Sequence, residues 1–364
     1  MKSRRQFIKN LSTVAVAGAT VGYLPLVRAA SNDLPETDSV VIGVYGGNWE
    51  KSIREAGLDE FADKEGIKVQ IVPGADAEWL AKLRASRGKN PPYDVLVFQP
   101  DSIQRAMSLD LLEPLTEDNI ENLQYLSPSV QEKLSQDGTA YAAGFSLGQL
   151  GIAYLPDVID KAPESWLDLW DPAYEGQLAL SPLTYTSGLQ FFAGLVNALG
   201  GEMANPDAID QAFDKLAELS GTLAGFPNSA GAIQTLLERG EVGIVPFWDG
   251  RVFALQNDGL DIEFVYPEEG AVVGSANWVI ARGAKNMANA YKLVNFLTSA
   301  EVQKKFSDTS FYAMNNSQIE YAPEIDEKIA TGEEAYSSLV WIDYEVATPK
   351  LNEWSNRWRQ TLGG

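Results

Sequence analysis

Between residues 40 and 98 the chain alternates three short apolar runs with two stretches of helical periodicity, and that alternation restricts the fold more than any other feature. Val40-Val41-Ile42-Gly43-Val44-Tyr45, Lys68-Val69-Gln70-Ile71-Val72 and Tyr93-Asp94-Val95-Leu96-Val97-Phe98 read as strands. Continuous, β-branched runs of this length suit strands covered on both faces. Gly46-Gly47 breaks the first run, and Trp49, Ile53, Leu58 and Phe61 then recur at helical spacing through 48–64. Residues 76–88 read as a second helix. The order β-α-β-α-β opens an α/β domain with a mainly parallel sheet, because parallel neighbours need crossovers of about this length.

A second α/β set follows. Runs at 150–154, 178–180 and 242–247 are strand-like, with helical stretches near 187–199, 207–219 and 229–239. Residues 278–281 form one further strand, and 287–297 and 300–306 read as helices. Two such lobes imply a cleft between them, and open α/β sheets bind ligands at the C-terminal ends of their strands.

The N-terminus sets the compartment. Ser3-Arg4-Arg5-Gln6-Phe7-Ile8-Lys9 is a twin-arginine export signal, followed by a moderately apolar stretch from Leu11 to Val27 and small residues at Ala29-Ala30 for cleavage. The chain is therefore expected in the periplasm, with residues 1–30 removed and no stable membrane insertion afterwards. The alternative is an uncleaved anchor. Removal leaves 334 of the 364 residues, more than one core usually holds. Formal net charge moves from −22 to −27 with the loss of Lys2, Arg4, Arg5, Lys9 and Arg28. A field of that sign repels nucleic acid and anionic lipid and favours cations, although a solubilising acidic surface explains it equally.

The chain has no cysteine and no histidine. That excludes disulfides, thiolate catalysis, Cys/His metal sites and histidine-based triads. Carboxylate-based enzymes such as glycosidases survive, but Glu268-Glu269, the one adjacent acidic pair in an expected turn before a strand, reads as a solvated turn rather than a catalytic dyad. Glycine spacing for dinucleotides, a phosphate loop and a calcium loop are all missing. No metal or other cofactor is implied.

Further landmarks are Phe61-Ala62-Asp63-Lys64-Glu65-Gly66-Ile67-Lys68-Val69 and Tyr93-Asp94-Val95-Leu96-Val97, then Leu237-Glu238-Arg239-Gly240-Glu241-Val242 with Trp248 beyond it. Ala284-Lys285-Asn286 and Ala290-Tyr291-Lys292-Leu293-Val294-Asn295-Phe296-Leu297 complete the set. In order and spacing these resemble the solute-binding proteins of bacterial ABC importers, extracellular family 1, the group that includes spermidine/putrescine receptors. The resemblance implies a two-lobed, type II-like α/β periplasmic binding protein with crossing hinge strands. It implies a monomer that closes on a small-molecule solute and hands it to an inner-membrane ABC permease, with no catalysis. Lobe 1 is expected at 31–145 and 275–310, lobe 2 at 146–274, and 311–364 as a segment packing across both.

The resemblance also nominates contacts. Trp49, Trp248 and Tyr312 match positions where aromatic rings sandwich a polyamine chain. Gly47 precedes Trp49 at the end of the first strand, where backbone approaches ligand. Gln99 and Asp101 follow the third strand. The polyamine group's aromatic and acidic grips fall here on Gly274 and Ala276, and its acidic loop is replaced by Ser181-Pro182-Leu183-Thr184-Tyr185-Thr186-Ser187-Gly188. A dication therefore needs Asp101, Asp249 or Glu78 as substitutes. Tyr185, Thr186 and Ser187 lead into an apolar helix, whose start is either an anion site or a plain hydroxyl cap. Asp249 and Arg251 offer opposite charges for a zwitterion, or pair with each other. The candidates are thus a small organic cation or zwitterion, or an anion at the Thr186-Ser187-Gly188 turn; stacking on Trp also leaves a sugar open.

Overall fold

A computed structural model describes Leu34 and residues 37–363; the twin-arginine segment and the rest of the expected signal lie outside the described residues. The strands are β1 (Ser39–Tyr45), β2 (Lys68–Gly74), β3 (Val95–Phe98), β4 (Ser135–Gln136), β5 (Thr139–Ala140), β6 (Ala143–Tyr154), β7 (Ile244–Trp248), β8 (Glu263–Val265), β9 (Val272–Ile280) and β10 (Ala313–Met314). Eight of them join in one mixed sheet ordered β10-β6-β9-β3-β1-β2, with β7 and β8 paired to the far end of β6. β4 and β5 form a separate hairpin. β1 lies parallel to both β2 and β3, as the crossover helices require.

The first helical stretch is not uniform: helices Asn48–Ile53 and Asp59–Glu65 flank a π turn at Arg54–Leu58. The second half is built differently from the first. Its strands β7 and β8 both run antiparallel to β6, and 178–180 contributes only isolated bridges, Leu178 to Ile244 and Ala179 to Gly225. The run at 150–154 is the distal end of a twelve-residue strand, and 278–280 end a nine-residue one, with Ala281 just beyond it in an isolated bridge to Leu112. These two long strands, β6 and β9, run side by side from one half into the other. β6 pairs with β9 and β10 over its first part and with β7 and β8 over its last. β9 reaches β3 at Asn277–Ile280.

Three apolar clusters surround this sheet. The first packs Trp79, Phe98, Phe145, Trp278 and Phe306 around β1 and β3. The second gathers Trp166, Phe191, Phe192, Phe213, Trp354 and Trp358, and the third Ile233, Leu237, Phe247, Val252 and Ile262. The tail divides between them. Met314, Ile325, Tyr336 and Leu339 join the first cluster, whereas helix Tyr344–Leu362 gives Ala347, Trp354, Trp358 and Leu362 to the second. Asp343 caps that helix by accepting from the Glu345 and Val346 N–H groups. No helix of the described residues is long and apolar enough to cross a membrane.

Trp358 is fully buried, edge-on to Phe191 and Phe192 at 6.5 Å from each. Replacing it with alanine removes the largest anchor of the tail helix. Trp358→Ala is expected to cost about 3–5 kcal/mol, read as a lower urea midpoint for the second half of the molecule.

Candidate ligand-binding site

Where the two halves face each other, β6 and β9 form the floor of a cavity of about 320 Å³. Ser146 and Gly148 come from β6, and Gly274, Ser275 and Ala276 from β9. One wall carries Tyr45, Gly46, Trp49 and Gln99, just beyond the C-terminal ends of the parallel strands β1 and β3. The opposite wall carries Tyr185, Thr186, Ala230, Trp248 and Arg251, and Tyr312 closes one side. A second chamber of about 440 Å³ shares Tyr45, Gln99, Tyr185 and Thr186 with the first. It extends to Asp76, Asp101 and Arg105 and is walled by Tyr344, Thr348 and Leu351 of the tail helix.

The rings differ in freedom. Trp49 stands edge-on to Tyr45 at 5.4 Å and to Phe306 at 5.3 Å, so the first half's aromatic cluster holds much of it. Trp248 donates its indole N–H to Gln190 Oε1 at 2.9 Å and meets Tyr185 edge-on at 6.0 Å. Tyr312 lies against Gly250, where a β-carbon would come 2.6 Å from the ring; a side chain there would push the tyrosine out of the cleft. Arg251, in the first turn of helix Asp249–Asn257, is exposed. Among the described residues it has no carboxylate within 4 Å. It sits beside the Tyr312 hydroxyl, whose pKa burial raises and the guanidinium pulls back down.

Five nominated residues are placed elsewhere, Asp249 among them. Gly47 is outside the cavity, and its neighbour Gly46 lines it instead. Ser187 is buried within the first turn of helix Thr186–Ala198, its hydroxyl without a hydrogen-bond partner. The hydroxyls therefore do not cap this helix: Tyr185 is the N-cap and makes no side-chain cap bond. Asp101 lines only the second chamber, where it pairs with Arg105 at 3.3 Å and burial raises its pKa. Glu78 is exposed and bonded to Lys82.

Asp249 is the largest correction. It is wholly buried and points away from the cleft, since its carboxylate folds back onto backbone donors. Oδ1 accepts from Gln149 N at 3.0 Å and Gly250 N at 2.7 Å, and Oδ2 from the Tyr266 hydroxyl at 3.3 Å. Burial outweighs these bonds and pushes its pKa up to about 7. Asp76 was not nominated. It begins helix Asp76–Ser86, accepts from Gln99 N at 2.8 Å, and burial lifts it to about 6. The other unnominated lining residues are small ones on the crossing strands and Ala230, together with Tyr45 and Gly46. The signal available for the strands was the density of Gly and Ser in 144–151 and 274–276.

Two α/β halves thus share crossing strands beneath a lined cavity. Glu269 of the adjacent acidic pair accepts hydrogen bonds from the Ser165 hydroxyl and the Trp166 N–H. Residues 56–331 match the model of the bacterial extracellular solute-binding proteins, and the chain belongs to that family. It is similar to the spermidine/putrescine-binding periplasmic protein of Escherichia coli, 28% identical over 317 residues and 86% of each chain. It is also similar to the gamma-aminobutyric acid-binding protein of Pseudomonas aeruginosa, 25% identical over 337 residues, 88% of this chain and 92% of that one. The fold matches the spermidine/putrescine ABC transporter substrate-binding protein of Streptococcus pneumoniae with a TM-score of 0.76 at 21% identity, covering 89% of this chain and 99% of that one. The chain is a bacterial extracellular solute-binding protein and not an enzyme, with the two-lobed α/β fold of its structural neighbours.

The raised pKa of Asp249 has a measurable consequence. Native Asp249 keeps its proton up to about pH 7, whereas the unfolded chain loses it near the ordinary carboxylate value, so its contribution is greatest in acid and disappears as pH rises through 7. Between pH 5 and 8 the wild type is expected to lose on the order of 2 kcal/mol more than Asp249→Asn. Denaturant midpoints of both proteins across that range check the difference.

Proposed function

We propose that this protein captures a small organic zwitterion and delivers it to an ABC permease from the periplasm, to which the twin-arginine segment would export it. The observation that carries this reading is the separation of charge in the cleft. The first chamber presents Arg251 and no carboxylate, whereas the second is lined by two carboxylates, Asp76 and Asp101, with the one guanidinium of Arg105 paired to Asp101. Beside Arg251 lies the start of the 13-residue helix Thr186–Ala198, whose free N–H groups and dipole favour an anionic group. A carboxylate or phosphonate head belongs at that end, clamped by the guanidinium. An ammonium group belongs toward Asp76 and Asp101, with the faces of Trp248 and Tyr312 along the chain between them.

A polyamine suits this arrangement less well. Its charges are all positive, and the wall of the first chamber would place one of them against Arg251. The relative named for gamma-aminobutyric acid binds a compound of the favoured type. Contacts from both lobes would stabilise the closed form over the open one, which is how such a solute would drive hinge closure.

Thermal shift with 4-aminobutanoate, butanoate and putrescine tests the assignment. The expected order is 4-aminobutanoate above butanoate, with no shift from putrescine. Arg251→Gln should weaken 4-aminobutanoate at least tenfold. A putrescine shift exceeding that of every amino acid tried, or an unchanged affinity in Arg251→Gln, would overturn the reading. Because Asp76 takes up a proton near pH 6, affinity for 4-aminobutanoate should fall as pH drops through 6, and Asp76→Asn should flatten that profile while leaving butanoate binding unaltered.

A further inference from the structure

Trp248 and Asp249 are consecutive residues, and each is tied to a different crossing strand. The Trp248 indole N–H bonds Gln190 Oε1 at 2.9 Å, and Gln190 Nε2 bonds the Val273 carbonyl of β9 at 2.9 Å. Asp249 holds Gln149 N of β6, and the Gln149 side chain reaches the Ala330 carbonyl at 2.9 Å. Gln190 is fully buried, with both ends of its amide used and no contact with the cavity. Gly274 makes room for it: a β-carbon there would lie 2.8 Å from Gln190 Nε2 and 3.5 Å from Trp248 Nε1.

We propose that Gln190 is a positioning residue, one that fixes the Trp248 ring to β9 so that the aromatic platform and the hinge strand move as one body. The bond consumes the only polar atom of the indole, which leaves the ring face, and not its N–H, for the solute. A ring held in this way gives up little freedom when a ligand arrives, and that raises affinity without adding a contact. It also links the platform directly to a strand that passes into the other lobe, so a change in the path of β9 reorients the ring. The arrangement has a local logic: the absence of a side chain at Gly274 lets an amide from the neighbouring helix reach both the indole and the strand.

This inference rests on the cleft being the solute site, and two readouts separate its failure from that of the site. The first needs no ligand. Exchange of the Trp248 indole hydrogen, its resonance identified by loss in Trp248→Phe, should be slow in the wild type. It should quicken at least tenfold in Gln190→Met, which keeps the volume and removes both bonds. Gly274→Ala, which crowds the amide from the strand side, should quicken it likewise and serves if Gln190→Met does not fold. Equal protection in wild type and variant overturns the proposal. The second is a double-mutant cycle with 4-aminobutanoate. Gln190→Met should lower affinity at least fivefold, and Trp248→Phe should then cost under half of its wild-type effect. Strict additivity, the result for a residue that only supports the core, overturns the proposal. If 4-aminobutanoate does not bind the wild type, the zwitterion assignment fails, and the exchange measurement still decides whether Gln190 holds the ring.

Discussion

The antiparallel pairing of β6 with β9, from Ala143 opposite Trp278 to Leu150 opposite Val272, is the contact on which the rest of the molecule depends. It makes one sheet out of two halves, since β9 continues the parallel strands through β3 while β6 carries β7 and β8. It also supplies the cleft floor, and both walls are anchored to its ends. Backbone pairing is well suited to that task. A two-strand ribbon twists and bends at low cost while keeping its hydrogen bonds, so the lobes can change their angle without unfolding either core. The tail adds to the same region: Val340 bonds across to Ala271 and Val273, so the segment between the two tail contacts tracks β9 rather than spanning the cleft independently.

The parts of the fold legible in the sequence were those whose side chains answer only to packing. β3 is buried on both faces and β1 on one, with the other face of β1 half-buried at Val41 and Tyr45, and no charged residue interrupts their apolar runs. β6 and β9 were legible only at their far ends, because Ser146, Gly148, Gly274 and Ser275 are small where the cavity lies above them, and Gly144 is small where Asn315 packs against it. There the need for space has overridden β-propensity, and such conflicts between local preference and fold are expected at functional sites. The tail helix shows the opposite case. Ala347, Leu351, Trp354, Trp358 and Leu362 do recur at helical spacing, but Pro349 obscures the pattern near its start.

The candidate site was legible in its aromatic members, Thr186 and Arg251, and misleading in its carboxylates and in Ser187. Trp49, Gln99, Tyr185, Thr186, Trp248, Arg251 and Tyr312 all meet at the cavity. Asp249 does not, although it stands between two residues that do. A carboxylate at the start of a helix has a choice between the solvent-filled cleft and the backbone N–H groups behind it, and sequence does not show direction. Here Gln149 N, Gly250 N and the Tyr266 hydroxyl supply three donors inside the protein, and the side chain turns to them. Asp76 escaped notice for a related reason: its role depends on Gln99, 23 residues away and brought alongside only by the parallel packing of the strands.

The overall charge bears on the solute in a way that the cleft alone does not. With 50 acidic against 28 basic residues, the chain surrounds its binding site with a negative field. That field opposes the approach of a purely anionic solute, which would gain Arg251 only after crossing it, and it attracts polyamines. A first chamber without carboxylates would disfavour the species the field collects most readily. A zwitterion escapes both penalties. It carries no net charge to be repelled, and in the proposed pose it would meet Arg251 and the helix start at one end of the cleft and, at the other, Asp76 and the Arg105-paired Asp101. Under the proposed zwitterion reading, long-range charge and local charge would exclude different wrong solutes, and specificity would arise from their opposition rather than from either alone.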